Sequence, residues 1–75
     1  MNEQSQGLKE LLLQTNEEFH NLAAQHHALE DRLHEILAKP HPSEPELVEE
    51  TTLKKRKLQL KDRMEAIARD YQGRH

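Results

Sequence analysis

A chain of 75 residues with a net charge of −3, no cysteine and only two aromatic residues excludes several classes of protein. It has room for one small domain, without disulfides or thiolate-ligated zinc. The apolar share of 33% is too lean for a self-sufficient globular core and suits long amphipathic helices with one buried stripe. The longest apolar runs, such as Leu11–Leu13, are far too short to cross a bilayer, and no signal-peptide pattern is visible. We therefore expect a cytoplasmic protein without a membrane partner.

A proline-rich segment divides the chain. All three prolines lie in AKPHPSEPE, residues 38–46. Because proline lacks an amide donor and clashes inside a helix, a first helix should end near residue 38. Ser43 and Glu46 have the spacing of a capping box, so a second helix should begin directly after Ser43. The sequence predicts a single domain, 1–75, with helix 1 at about 5–38, a turn at 39–43 and helix 2 at about 44–72.

The start of helix 1 is less well defined. Gly7 lowers helix stability, and the tetrapeptide TNEE at residues 15–18 can itself cap a helix. A continuous helix, a later start and a break near Thr15 all remain open.

Apolar residues in both segments recur at alternating spacings of four and three, the heptad pattern of packed helices. A short connection makes neighbouring helices antiparallel, so the sequence predicts an all-α, two-helix antiparallel hairpin. Folding it about His41 pairs residues whose numbers sum to about 82, which brings Phe19 near Met64 and His26 near Lys57. The predicted seam consists of Leu12, Phe19, Leu22, His26, Leu29, Leu33, Ile36, Leu53, Lys57, Leu60, Met64, Ile67 and Tyr71.

The basic run in LKKRKLQLKDRM, residues 53–64, has two interpretations. A helix spreads these charges over more than one turn, so we interpret them as a solvated face that complements the acidic first helix. The alternative is a nucleic-acid-associated regulator, against which the net acidic charge and the absence of interleaved aromatic residues argue. Its contacts would be Lys54, Lys55, Arg56, Lys61 and Arg63.

The histidines suggest one weak metal site. His27, Asp31 and His34 lie at i, i+4 and i+7, a spacing that can place nitrogen and oxygen ligands for zinc on one helix face. We favour local ion pairs, such as His26 with Glu30, and predict no metal. The sequence offers no set of catalytic residues and no cofactor motif, so we do not expect an enzyme.

Five leucines lie beside the seam and widen the apolar stripe beyond what one facing helix covers. They are Leu11, Leu13, Leu37, Leu47 and Leu58. Two hairpins packed as a four-helix bundle would bury them, although scattered surface leucines are also common. We expect a homodimer that acts as a small interaction, scaffold or regulatory protein, with another helical protein as a possible partner.

Three blocks of the sequence resemble a known family. EEFHNLAAQHHALEDRLHEI, AKPHPSEPELVEE and LKKRKLQLKDRMEAI are similar to the YdcH-like family of small bacterial proteins of unknown function, over nearly the whole chain. The resemblance implies a cytoplasmic, oligomeric antiparallel hairpin with no assigned activity. The chain departs from the family pattern at Pro45 and at Thr51–Thr52.

Overall fold

The computed structural model describes residues 3–73, with side chains from residue 7 onward, and consists of three α-helices. Helix α1 spans Glu3–Thr15, α2 spans Glu17–Leu37 and α3 spans Glu44–Gly73. The described residues contain no strand, so the predicted all-α class is confirmed. None of these helices is long and apolar enough to cross a membrane.

In place of one continuous helix over about 5–38, the structure has two helices, so of the alternatives left open by the sequence it is the break near Thr15 that occurs, and the two helices are divided at Asn16. This residue has extended backbone angles, with φ −118° and ψ 110°, and its side-chain oxygen accepts a hydrogen bond of 2.8 Å from the amide of Phe19. Asparagine is favoured at such N-cap positions because its side chain replaces the missing backbone acceptor. The acidic first turn of α2, Glu17 and Glu18, also complements the positive end of the helix dipole.

Helix α1 folds onto the side of the other two helices. A straight helix from Glu3 to Leu37 would be about 52 Å long at 1.5 Å per residue, whereas the longest dimension of the chain is 48 Å. Helix α1 contacts both α2 and α3, and Leu12 is only 1% exposed. The break therefore adds a third packed helix to the predicted pair.

The turn between α2 and α3 follows the local sequence signals. Helix α2 ends at Leu37, and α3 begins at Glu44. The amide of Ser43 donates to the Glu46 carboxylate at 2.9 Å, and the amide of Glu46 donates back to the Ser43 hydroxyl at 3.3 Å, which confirms the predicted capping box. Pro45 lies in the first turn of α3, where a missing amide donor costs nothing.

Helices α2 and α3 run antiparallel with one register along their length. Three polar contacts between them involve residue numbers that each sum to 81, close to the predicted value of about 82. These contacts join Arg32 to Glu49, Gln25 to Arg56 and Glu18 to Arg63. The two helices therefore pack side by side from the turn to the opposite end of α2.

The core is small and draws on all three helices. Its buried apolar side chains are Leu12, Phe19, Leu33, Ile36 and Leu60. The other predicted seam residues, Leu22, His26, Leu29, Leu53, Lys57, Met64, Ile67 and Tyr71, are half-buried. The apolar stripe thus faces inward throughout, with Leu12 buried by the folding of α1 onto the pair.

We predict that Asn16→Ala lowers the free energy of unfolding by about 1 kcal/mol, because the Phe19 amide loses its acceptor. The matched control is Asn21→Ala, an exposed position inside α2, where alanine should be neutral or slightly stabilising. Urea unfolding followed by circular dichroism measures both. A gain of stability in Asn16→Ala would contradict the break, since a continuous helix would favour alanine at this position.

Candidate interaction surfaces

An open groove runs along one side of the molecule where the three helices meet. We call it the groove, and its volume is about 590 Å³. Its lining comprises Leu8 and Lys9 of α1, Phe19, His26 and Glu30 of α2, and Lys57, Leu58, Lys61, Met64, Glu65, Ala68, Arg69 and Gln72 of α3. The fold of α1 onto the pair supplies one wall, so the groove depends on the break at Asn16.

Two polar seam positions meet inside the groove through a shared carboxylate. Glu30 lies 3.5 Å from the Nδ1 of His26 and 3.8 Å from the ammonium of Lys57. The predicted proximity of His26 and Lys57 is thus mediated by Glu30. The three side chains thus form one charged cluster at the half-buried centre of the antiparallel pair.

A second polar cluster ties the end of α2 to the start of α3. The guanidinium of Arg32 donates two hydrogen bonds of 2.8 Å to the two oxygens of Glu49, and it also contacts Glu35 at 3.2 Å. This paired geometry is the strongest form of Arg–carboxylate contact. The sequence analysis did not predict this pair. The signal was available, because Arg32 and Glu49 carry opposite charges and their residue numbers sum to 81, the register of the α2–α3 pair.

The contacts in this cluster shift the pKa values of its members. The ammonium of Lys39 and the amide of Ser43 lower the pKa of Glu46 to about 2. Hydrogen bonding from Arg32 lowers the pKa of Glu49, and the same bonding raises the pKa of Arg32. The folded chain therefore favours the ionised form of both carboxyl groups.

The five leucines predicted as one oligomer face lie in three places. Leu37 and Leu47 are exposed at the turn, together with Val48, which is 67% exposed and which the heptad pattern did not include. We call Leu37, Leu47 and Val48 the turn patch. Leu11 and Leu13 are exposed on α1, and Leu58, at 59% exposure, forms an edge of the groove.

The residues predicted for nucleic-acid contact do not act as one set. Lys54 pairs with Glu50 of its own helix at 2.7 Å, whereas Arg56 and Arg63 donate across to α2. Lys55 and Lys61 are exposed, and Lys61 lines the groove. Arg63 with Glu18 and Lys57 with Glu30 instead provide the predicted charge complementarity between the helices.

The three residues of the weak metal candidate, His27, Asp31 and His34, do not form one site. His27 lies 3.5 Å from Asp31, and His34 does not join them. Among residues 7–73, whose side chains the structure describes, no group of three or more histidine, cysteine, aspartate or glutamate side chains could hold a metal ion.

We predict an acid destabilisation that depends on Glu46 and Glu49. Because folding lowers both pKa values from 4.5, their stabilising effect is fully present above that value and is lost as the pH falls to about 2. The free energy of unfolding should be measured from about pH 6 to about pH 2. The double variant Glu46→Gln/Glu49→Gln should be less stable at the upper end and should converge with the wild type at the lower end.

The control for this measurement is Glu10→Gln, which removes one exposed carboxylate of α1 that lies outside this cluster. A gap between the double variant and the wild type that stays constant over the whole pH range would contradict the assignment.

Comparison with curated proteins and with solved structures returns no match. A family model described as "Protein of unknown function (DUF465)" matches residues 19–68. The match covers most of the α2–α3 pair, including the turn, and leaves α1 outside. The resemblance seen in the sequence is confirmed: the chain belongs to the DUF465 family, the YdcH-like family of small uncharacterised bacterial proteins.

Proposed function

We propose that the chain is a small non-enzymatic interaction module that forms a homodimer and serves as a scaffold or regulator for another helical protein. One observation carries the proposal. Among the described residues, six large apolar side chains are exposed, against five apolar side chains that are buried. Association would remove this exposed surface from water at a gain of roughly 25 cal/mol per Å² of apolar area. It would thereby stabilise a chain whose own core is small.

The turn patch is the best candidate for the contact between two copies. Leu37 ends α2, and Leu47 and Val48 lie in the first turns of α3. The Lys39–Glu46 and Arg32–Glu49 contacts hold these two helix ends together, so the patch is presented on a fixed scaffold. Large apolar side chains exposed close to one turn are typical of association surfaces. A two-fold contact between turn patches would align the helices of two antiparallel pairs as a four-helix bundle.

The proposal assigns no reaction to the chain. Lys57 pairs with Glu30 in the groove, and Arg32 and Lys39 pair with Glu49 and Glu46 at the turn, so these groups act as structural ion pairs and we infer no reacting centre from them. The proposal also retains a cytoplasmic location, which the cysteine-free composition supports.

We predict that Leu37→Ser/Leu47→Ser weakens the homodimer by at least ~100-fold without unfolding the chain. The reason is that burying one leucine contributes about 1.5–3 kcal/mol, and 1.4 kcal/mol corresponds to a factor of ten. Sedimentation equilibrium and intact-assembly mass measurement report the dimer, and circular dichroism reports the fold.

The matched control is Leu58→Ser, which changes an equally exposed leucine outside the turn patch and should leave the dimer intact. A wild-type chain that stays monomeric up to roughly 0.1 mM would contradict the proposed dimer. Retention of the dimer in the double variant would exclude the turn patch as its contact.

A further inference from the structure

The groove combines an apolar floor with a basic rim. Leu8, Met64 and Ala68 supply apolar surface from two helices, Phe19 closes the floor, and Leu58 is largely exposed at the edge. Exposed apolar surface in a concave site is the usual feature of a docking surface for a partner.

The length of the groove matches a helix. Its wall on α3 runs from Lys57 to Gln72, which corresponds to about 22 Å at 1.5 Å per residue. A partner helix of about 15 residues would span that distance. Such a helix would place apolar side chains at i, i+3 or i+4, and i+7 on the floor, as amphipathic helices do in other hydrophobic grooves.

The charges of the rim are unbalanced. Four basic residues line the groove, against the two carboxylates of Glu30 and Glu65. Glu30 is shared by Lys57 and His26, whereas Lys61 and Arg69 form no ion pair with any described residue. The groove is therefore locally positive in a chain whose net charge is −3. Because screening limits charge interactions to about 8–10 Å at physiological salt, the rim dominates the field that a bound ligand experiences.

The spacing of the basic residues on the rim restricts which ligands can bind in the groove. Lys61 and Arg69 are eight residues apart, or about 12 Å along α3. A fatty acid carries one carboxylate and would satisfy only one of them, and a nucleic acid has no apolar stripe for the floor. A second copy of this chain would offer the acidic helix α2, whose apolar side already packs against α3.

We propose that the groove binds an acidic amphipathic helix of a partner protein. The partner's leucine-type stripe would fill the apolar floor, and its carboxylates would pair with Lys9, Lys61 and Arg69. This inference rests on the proposed role as an interaction module and specifies the chemistry of its partner.

The test uses the full chain and a fluorescein-labelled synthetic peptide of about 18 residues, with leucines at helical spacing and glutamates on the other face. Fluorescence anisotropy should give a Kd in the micromolar range. Lys61→Glu/Arg69→Glu and, separately, Leu58→Ser should each weaken binding by at least ~10-fold. Lys55→Glu, an exposed charge reversal on α3 outside the groove, should leave the Kd unchanged.

Four outcomes would overturn the proposal. Two concern the peptide: equal binding of a scrambled peptide with the same composition, or equal binding of an analogue with lysine in place of glutamate. The third is that labelled oleate or duplex DNA binds with the same sensitivity to Lys61→Glu/Arg69→Glu while the acidic peptide does not. The fourth is that Lys61→Glu/Arg69→Glu dissociates the homodimer, because a second copy would then occupy the groove.

A separate variant distinguishes this proposal from the homodimer. Leu37→Ser/Leu47→Ser should retain peptide binding, because the turn patch lies outside the groove. If the wild-type chain is monomeric and binds the peptide, the dimer is refuted and the groove is supported. A dimer that binds none of the probes would refute the groove and support the dimer.

Discussion

The hydrogen bond from the Phe19 amide to the side chain of Asn16 determines the shape of the molecule. It gives α2 its own N-terminus, so that α1 can run in a direction different from that of α2. Helix α1 can then bury Leu12 against the antiparallel pair, which adds one of the few fully buried side chains to a small core. The same fold brings Leu8 and Lys9 to the edge of the pair and creates the third wall of the groove. The proposed docking surface is therefore a consequence of one capping interaction.

Apolar packing and ion pairs have different roles in the α2–α3 pair. Phe19, Leu33, Ile36 and Leu60 provide the buried surface that stabilises it. The cross-helix contacts of Arg56 and Arg63 are exposed, and exposed pairs contribute little to stability, whereas the contact of Arg32 with Glu49 is part-buried. Their common register, however, disfavours a slip of one helix along the other, because a slip would separate all three pairs at once. The charge pattern thus specifies the alignment, and the apolar stripe supplies the free energy.

The sequence predicts the pair well because its signals are local and redundant. Heptad spacing identifies the seam, and the prolines with Ser43 and Glu46 define the turn. The break at Asn16 is harder to predict because Leu8, Leu12, Thr15 and Phe19 keep the heptad spacing through it. Periodicity reports which residues face inward and is insensitive to a change in helix direction. The tetrapeptide TNEE was the only local signal, and it competes with an uninterrupted apolar stripe.

The interaction surfaces depend on tertiary arrangement and are correspondingly less predictable. The predicted leucine face separates into the turn patch, the exposed leucines of α1 and the groove edge, because α1 leaves the axis of α2. Val48 lies outside the heptad pattern, so the sequence does not predict that it joins Leu37 and Leu47 in the turn patch. The basic run similarly separates, because Arg56 and Arg63 contact α2, Lys61 lines the groove, Lys54 pairs with Glu50 of its own helix and Lys55 is exposed outside the groove. Family membership supplies no activity, because the family itself is one of unknown function.

The folding of α1 onto the pair is the central claim, and one intrachain distance tests it directly. Spin labels at positions 9 and 30 would be measured by pulsed electron paramagnetic resonance, with labelled chain diluted into unlabelled chain to suppress distances between copies. Both positions line the groove, so the account predicts a separation of about 22 Å or less. A separation of about 31 Å, the length of a continuous helix between these positions, would contradict it.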